Sequence, residues 1–442
     1  MLGSYEGKCE AGAVVLAETI PRYAVQDQAE SGSGVAIFLA LVGVVLVPSA
    51  MMRAFGVSSL AAGSVALATA FLGARVLRRS DRVRDGASRR RRPSLYALGA
   101  AVLLVATHSA VAAILSGRLF ETERCLFSMG ALSWVVLGAS QFHVLLRRVC
   151  VRTGRRALLS ALGVVGAIGG AAIVAMHWGA ASKNGILGFM EPSHFGIASM
   201  YLLAPALVLS RGWVRWAIGA GAVVFALGLE SLTMLVAAVL CLALVFSWRA
   251  IVPIMLAILV MRPEVRDSYY IDRVNMSGDT TNLSALVWLQ GMQTASIVLG
   301  DSFGVGVGFQ QLGASTVTGE AAGTIKQVFG GTLNERDGGL LGAKVVAEMG
   351  ILGLALLAVY GWTAFRALVK IRTIVHGTGT GFTFAEVVGA CSVVMYSVEL
   401  CVRGVGYFSP GVFFAVVPVY TGWIERSSAR KWVEREKHPP TT

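Results

Sequence analysis

Stretches of about 20 apolar residues, the length needed to cross a bilayer as a helix, recur along this chain and constrain its fold more than any other feature. They fall at 34–52, 54–77, 94–116, 125–146, 157–178, 193–210, 213–229, 232–248, 250–262, 339–361, 382–402 and 408–424, the seventh and ninth being short. Only 14% of the 442 residues are charged, against roughly 25% in a soluble domain. No water-soluble fold hides that much apolar surface. Helices are the spanning structure implied, because an open strand edge in lipid leaves backbone groups unpaired. The expected fold class is an all-α polytopic membrane protein of about 12 transmembrane helices.

The formal charge of +13 could point to nucleic acid, but its placement argues against that partner. Arg78–Arg92 holds eight arginines and Arg147–Arg156 five, each cluster in a short link between apolar runs. Basic links mark the cytoplasmic side, and they can also touch anionic head groups. With a cytoplasmic N-terminus, the links 78–93, 147–156, 211–215, 249 and 366–376 and the tail after 424 carry 8, 5, 2, 1, 3 and 5 basic residues. The opposite short links, 117–124 and 179–192, carry two and one. The expected organisation is a polar cytoplasmic tail (1–33), nine spans (34–261), a large external loop (262–338), three spans (339–424) and a cytoplasmic tail (425–442). Ala11–Ala17 is too short, and too acid-flanked, for a signal peptide. The six cysteines form no CxxC or Cys/His pattern, so no metal site and no disulfide framework is expected.

The 77-residue external segment has five basic and eight acidic residues, and loops of that length are usually functional. Within it, Leu283–Leu299 reads as a helix lying at the membrane surface or packed on the bundle. Gly304-Val305-Gly306-Val307-Gly308-Phe309-Gln310 lacks the βαβ setting of a phosphate loop, so tight turns with close backbone packing are the plainer reading.

Ionisable groups at or inside spans are costly and are functional candidates by default. Glu191-Pro192-Ser193-His194-Phe195 opens the sixth span on the outer side. Pro192 suits a first helical turn, whose positive end favours an anion such as a diphosphate. Glu191 and His194 share roughly one face and form a candidate acid/base pair, or else a capped helix with a satisfied hydrogen bond. Asn334-Glu335-Arg336-Asp337-Gly338-Gly339 precedes the tenth span, and Lys344 and Glu348 follow at helical spacing. Lys344 either contacts substrate or is neutralised by Glu348. Glu399 and Arg403 repeat that spacing. Arg262, Arg266 and Arg273 could hold phosphate bidentately, although Glu264, Asp267 and Asp272 alternate with them. Glu230-Ser231 reads as a polar hinge or a second substrate contact, and His108, His143 and His177 as structural.

Taken in order, the external EPSHF string at 191–195, the long loop and the segment DGGLLGAKVVAEMGILGL at 337–354 resemble the bacterial O-antigen polymerase and ligase superfamily. The similarity is nearest to the branch that polymerises oligosaccharide repeat units. It covers about residues 180–405, with weaker likenesses at Asn282-Leu283-Ser284, Gln290-Gly291 and Gly308-Phe309-Gln310. The resemblance implies a GT-C-like, cofactor-free and metal-independent glycosyltransferase of the bacterial inner membrane, with its active site facing the periplasm. Donor and acceptor would be glycans on undecaprenyl diphosphate, with a chain-length regulator as a possible protein partner. The ligase branch carries a histidine shortly before this AExG segment; here Arg336-Asp337-Gly338-Gly339 has none, which favours the polymerase over the O-antigen ligase.

In that reading Glu191 orients or deprotonates the attacking hydroxyl, His194 supports it or contacts diphosphate, and Asp337 is the competing base. Arg262, Arg266, Arg273 and Arg403 hold phosphate, with Lys344, Gln290 and Gln310 as further substrate contacts. The rival class is a transporter or lipid-linked glycan flippase. Against it stand the lack of an internal repeat and the clustering of polar groups at the outer mouth.

Overall fold

A computed structural model describes residues 20–55, 60–80, 93–116, 120–179, 189, 191–246, 282–314, 319–377 and 382–419. The described residues are helical, in the order α1 (Ile20–Ala54), α2 (Ala61–Ser80), α3 (Pro93–Ser116), α4 (Thr122–Arg147), α5 (Val151–His177), α6 (Pro192–Leu209), α7 (Gly212–Gly228) and α8 (Leu232–Val245). There follow α9 (Leu283–Asp301), α10 (Glu320–Phe329), α11 (Leu341–Val375), α12 (Phe384–Cys401) and α13 (Pro410–Val419). Eight of these helices are long and apolar enough to cross a membrane, and α7, α8, α13 and Ala61–Val76 of α2 are shorter apolar helices. The chain is thus an α-helical protein suited to a bilayer, as its apolar runs predict. The expected ninth span, 250–262, lies outside the described residues.

The bundle is built around α6 and α12, each with 78% of its apolar window buried, whereas α3 at the periphery has 11%. Packing against α5, α8 and α12 leaves α6 buried on all sides from Phe195 to Val208. Tyr201 of α6 stacks on Phe414 of α13 and donates a hydrogen bond to Glu399 of α12. Local chemistry sets the helix starts. Thr383 and Glu386 form a capping box on α12, and the Asn282 side chain accepts from Ser284 and Ala285 N–H at the start of α9, relieving donors that have no partner within the helix. At the other face of the bundle, Arg372 on α11 donates to the last carbonyls of α8, Ala243 and Phe246.

Three features depart from the sequence expectations, and one expected placement holds. Helix α1 reaches back to Ile20, into the supposed tail. Helix α11 runs to Val375, well past 361, so Arg366, Lys370 and Arg372 sit on helix rather than in a link. Leu283–Asp301 packs on the bundle, one of its two expected placements, along the first half of α11 through Ala295 and Val298 against Ala343 and Ala347, and it is also long and apolar enough to cross a membrane. Most consequential is a break inside α11 at Gly350 (φ 58°, ψ −134°). Residues beyond the break cannot bond back to Ala347 and Glu348. Val307 and Gly308 N–H donate to those two carbonyls instead, at 3.0 and 2.9 Å, and Ile351 N–H donates to Gly304 O at 2.7 Å. A Cβ on Gly306 would lie 2.6 Å from Glu348 O. The Gly-rich stretch is therefore turn and close packing, and no phosphate loop.

Candidate functional site

Three segments far apart in sequence meet where α6 and α11 begin and α12 ends. At the first, Glu191 is extended (φ −146°, ψ 153°), Pro192 takes the first helical position, and Phe195 N–H closes the first turn onto Glu191 O. Phe189 and Phe195 brace this turn edge to face, 5.3 Å between ring centres, and Arg53 of α1 donates to Phe189 O. At the second, Asn334 O accepts from the N–H groups of both Asp337 and Gly338, folding the chain back just before α11. The third runs on from α12, where Arg403 N–H still donates to Val398 O and Gly404 N–H donates to Gly339 O, tying this segment to the start of α11.

The side chains form a network of two bonded groups, tied together by the Gly404–Gly339 backbone bond and with His194 under the charges of both. Glu191 Oε2 accepts from Ser193 Oγ at 2.8 Å and from Arg403 at 3.0 Å. Burial raises the Glu191 carboxyl, but Arg403, His194 and the Ser193 hydroxyl outweigh it and hold the group below its ordinary value of 4.5. Glu191 is therefore ionised at neutral pH. His194, in the first turn of α6, lies under the field of Glu191, Arg403 and Asp337, and its Nδ1 has no hydrogen-bond partner among the described residues. Asp337 faces Lys344 Nζ at 3.4 Å. That ammonium, 1% exposed, also donates to Arg336 O at 2.6 Å and to Gln310 Oε1 at 3.4 Å, lies 3.9 Å from Glu348 Oε1 and sits over the Tyr407 ring. Tyr407 donates to Glu348 Oε2 at 2.8 Å. Burial, with the Glu348 carboxylate beside it, pushes the Tyr407 phenol up, so it remains a donor.

Of the residues singled out from sequence, Glu191, His194, Asp337, Lys344, Arg403 and Gln310 belong to this network. Gln290 does not join it: it is buried on α9, its carbonyl oxygen without a partner among the described residues. Arg262, Arg266 and Arg273 lie outside the described residues. Lys344 and Glu348 neutralise one another inside the bundle, which leaves Lys344 little freedom to reach a ligand. The Glu399–Arg403 spacing proves misleading, because α12 ends at Cys401 and Arg403 turns away to Glu191, leaving Glu399 to Tyr201. His108 is structural, its Nε2 2.9 Å from Val305 O. Ser231 is the N-cap of α8 and Glu230 the turn before it (φ 47°).

Sequence reasoning passed over Tyr407, Glu121 and Arg124. Tyr407 carries no signal, being one aromatic in a short link. Glu121 and Arg124, charged and three residues apart where α4 begins, satisfy the same criterion that drew attention to Glu191 and His194. No cluster of metal-ligating side chains occurs among the described residues. Searches against protein-family models, curated proteins and solved structures return no match for the chain.

Proposed function

We propose that this protein is a membrane glycosyltransferase that joins oligosaccharide repeat units carried on undecaprenyl diphosphate, at the periplasmic face of a bacterial inner membrane. One observation carries the reading. Six residues chosen for that chemistry, from segments as distant as 191 and 403, gather at one place, in two bonded groups with His194 under the charges of both. In the reaction, an acceptor hydroxyl oxygen attacks the anomeric carbon of the donor sugar. The bond from that carbon to the diphosphate breaks, and the diphosphate leaves with its electron pair. Glu191 is ionised and can orient the hydroxyl and take its proton, and His194, with a free ring nitrogen, can pass that proton on. Asp337 is the alternative base, and Arg403 offsets charge that develops on the leaving group. The segment after α9 helps to cover the network and keeps water from the donor.

Purified protein given a defined undecaprenyl-diphosphate repeat unit should extend it into a ladder of products, and an unchanged substrate across varied conditions overturns the reading. In a strain lacking the gene, Glu191→Gln, His194→Ala and Asp337→Asn should each shorten the glycan, by about 10²–10⁴ in transfer rate if the residue moves the proton. Full-length glycan from all three variants would remove this site from consideration. A carrier is the second reading, favoured by the buried carboxylate Glu399 and the broken helix α11. It predicts loss of all externally exposed units, whereas a polymerase defect leaves single units in place.

A further inference from the structure

Beside the network lies a second charged group that the reaction above leaves unused. Glu121, just ahead of α4, stands between two guanidinium groups, with Arg124 at 3.4 Å and Arg336 at 3.8 Å. Both distances exceed the 2.7–2.9 Å usual for a charge-assisted hydrogen bond. The other contacts of the Arg124 guanidinium are equally long, 3.4 Å to Leu312 O and 3.5 Å to Gln310 Oε1. Elsewhere the same protein closes such pairs properly, at 3.0 Å for Arg403–Glu191 and 2.9 Å for Lys370–Glu386. A guanidinium offers five donors in a fixed fork, and here two forks share one carboxylate at poor geometry.

The backbone that carries these side chains is bonded at short range where the side chains are not. The Gln311 amide grips the Glu121 backbone from both sides, accepting from its N–H at 2.7 Å and donating to its carbonyl at 3.1 Å. The Arg336 backbone is held by Lys344 at 2.6 Å. The Glu121 side chain makes no cap hydrogen bond to α4, so its carboxylate can swing away without unwinding the helix. The positive end of α4 points at the same spot. Glu121 and Arg336 reach solvent, at 39% and 65% exposure. Through Gln310 Oε1, which accepts from both Arg124 and Lys344, the group is bonded directly to the site already described.

We propose that Arg124 and Arg336 form a fork for a diphosphate anion, and that Glu121 is an internal stand-in which the ligand displaces. A diphosphate spans both guanidiniums with several oxygens, where one carboxylate reaches each only at long range. That the diphosphate is lipid-linked rests on the proposed glycosyl transfer; the anion site itself rests on the geometry.

The sign of the Glu121 effect makes the test selective. Full-length protein in phosphatidylcholine nanodiscs is titrated with inorganic pyrophosphate and, separately, with farnesyl diphosphate, by calorimetry. Arg124→Gln and Arg336→Gln should each weaken binding at least about tenfold, the loss of one charge-assisted contact. Glu121→Gln should tighten it, because the competing carboxylate is gone. Arg124→Lys and Arg336→Lys, which keep the charge but lose the fork, should fall between, and their thermal midpoints control for folding. Farnesyl diphosphate should bind more tightly than pyrophosphate. The proposal is overturned by absence of binding, by arginine variants equal to wild type, or by weaker binding in Glu121→Gln. It is equally overturned if phosphatidylglycerol in the disc abolishes pyrophosphate binding, since the fork would then serve bilayer head groups. A product ladder with no arginine-dependent binding removes the fork alone. Arginine-dependent binding without a ladder removes the glycosyl transfer alone.

Discussion

Lys344 and Glu348 face one another at 3.9 Å with 1% and 0% of their side chains exposed, whereas Arg403 and Glu191 meet at 3.0 Å with 17% and 44% exposed. Both are cation–carboxylate pairs of one network, yet their surroundings give them different uses. The inner pair has left water altogether, so each charge is tolerable only because the other is there, helped by Tyr407, Gln310 and the Arg336 carbonyl. The outer pair keeps part of its solvent, chiefly at Glu191. Its mutual attraction is screened and contributes little to stability, which leaves both groups available to a ligand. The more exposed pair is open to a ligand, and the buried pair belongs to the frame around it.

Breaking the inner pair on one side is expected to have the largest effect. Glu348→Leu or Lys344→Met alone should cost about 3–5 kcal/mol, because a buried charge is left uncompensated. Combining the two should recover most of that loss, measured as the midpoint of thermal unfolding in detergent. If the single variants are as stable as wild type, the contrast between the pairs fails. Next comes the hinge that carries the inner pair. Gly350→Ala forces a side chain into a backbone region open almost only to glycine, and its Cβ would collide with Gly304 O. A loss of about 1–3 kcal/mol, with Glu348 displaced, should appear as reduced protease resistance of the α9–α11 region. Glu191→Gln should by contrast change stability by less than about 1 kcal/mol while reducing transfer, so that stability and activity separate at the outer pair.

The smallest effect is that of acid. Because the Glu191 carboxyl is held below its ordinary value of 4.5, its contribution is present in full above that value and is lost as pH falls through the lowered one. The stability difference between wild type and Glu191→Gln should therefore be flat from pH 7 to pH 5.5 and should close only below 4.5. A difference that fades near neutrality would mean that Arg403 is not the partner that matters.

Much of the architecture was legible as sequence because it follows from one-dimensional patterns. Apolar run length places α6 and α12 to within two residues and α4 to within three, while α5 begins six residues ahead of its run, and Pro192 marks the start of α6. The mouths of spans are also legible, since ionisable groups there stand out against an apolar background, which is how Glu191, His194, Asp337 and Arg403 were found. Partner choice was not legible. The i, i+4 rule pairs Glu399 with Arg403 only if the helix continues, and α12 stops between them. Nor does hydropathy register the break at Gly350, because a glycine in an apolar run reads the same with either sign of φ. The use of Val307 and Gly308 N–H to complete another helix depends on a contact across distant segments, which no local pattern encodes.

That borrowed bonding has a consequence for how the chain is made. Synthesis runs from the N-terminus, so the donors on Val307 and Gly308 emerge well before Ala347 and Glu348, the carbonyls they serve. Until α11 arrives, the segment after α9 has no intramolecular home for those polar groups, and hydrocarbon would leave them bare. The loop after α9 must therefore wait in water or at the lipid surface and dock only after the later helix has been delivered. The closing of this contact thus waits on the later of its two segments.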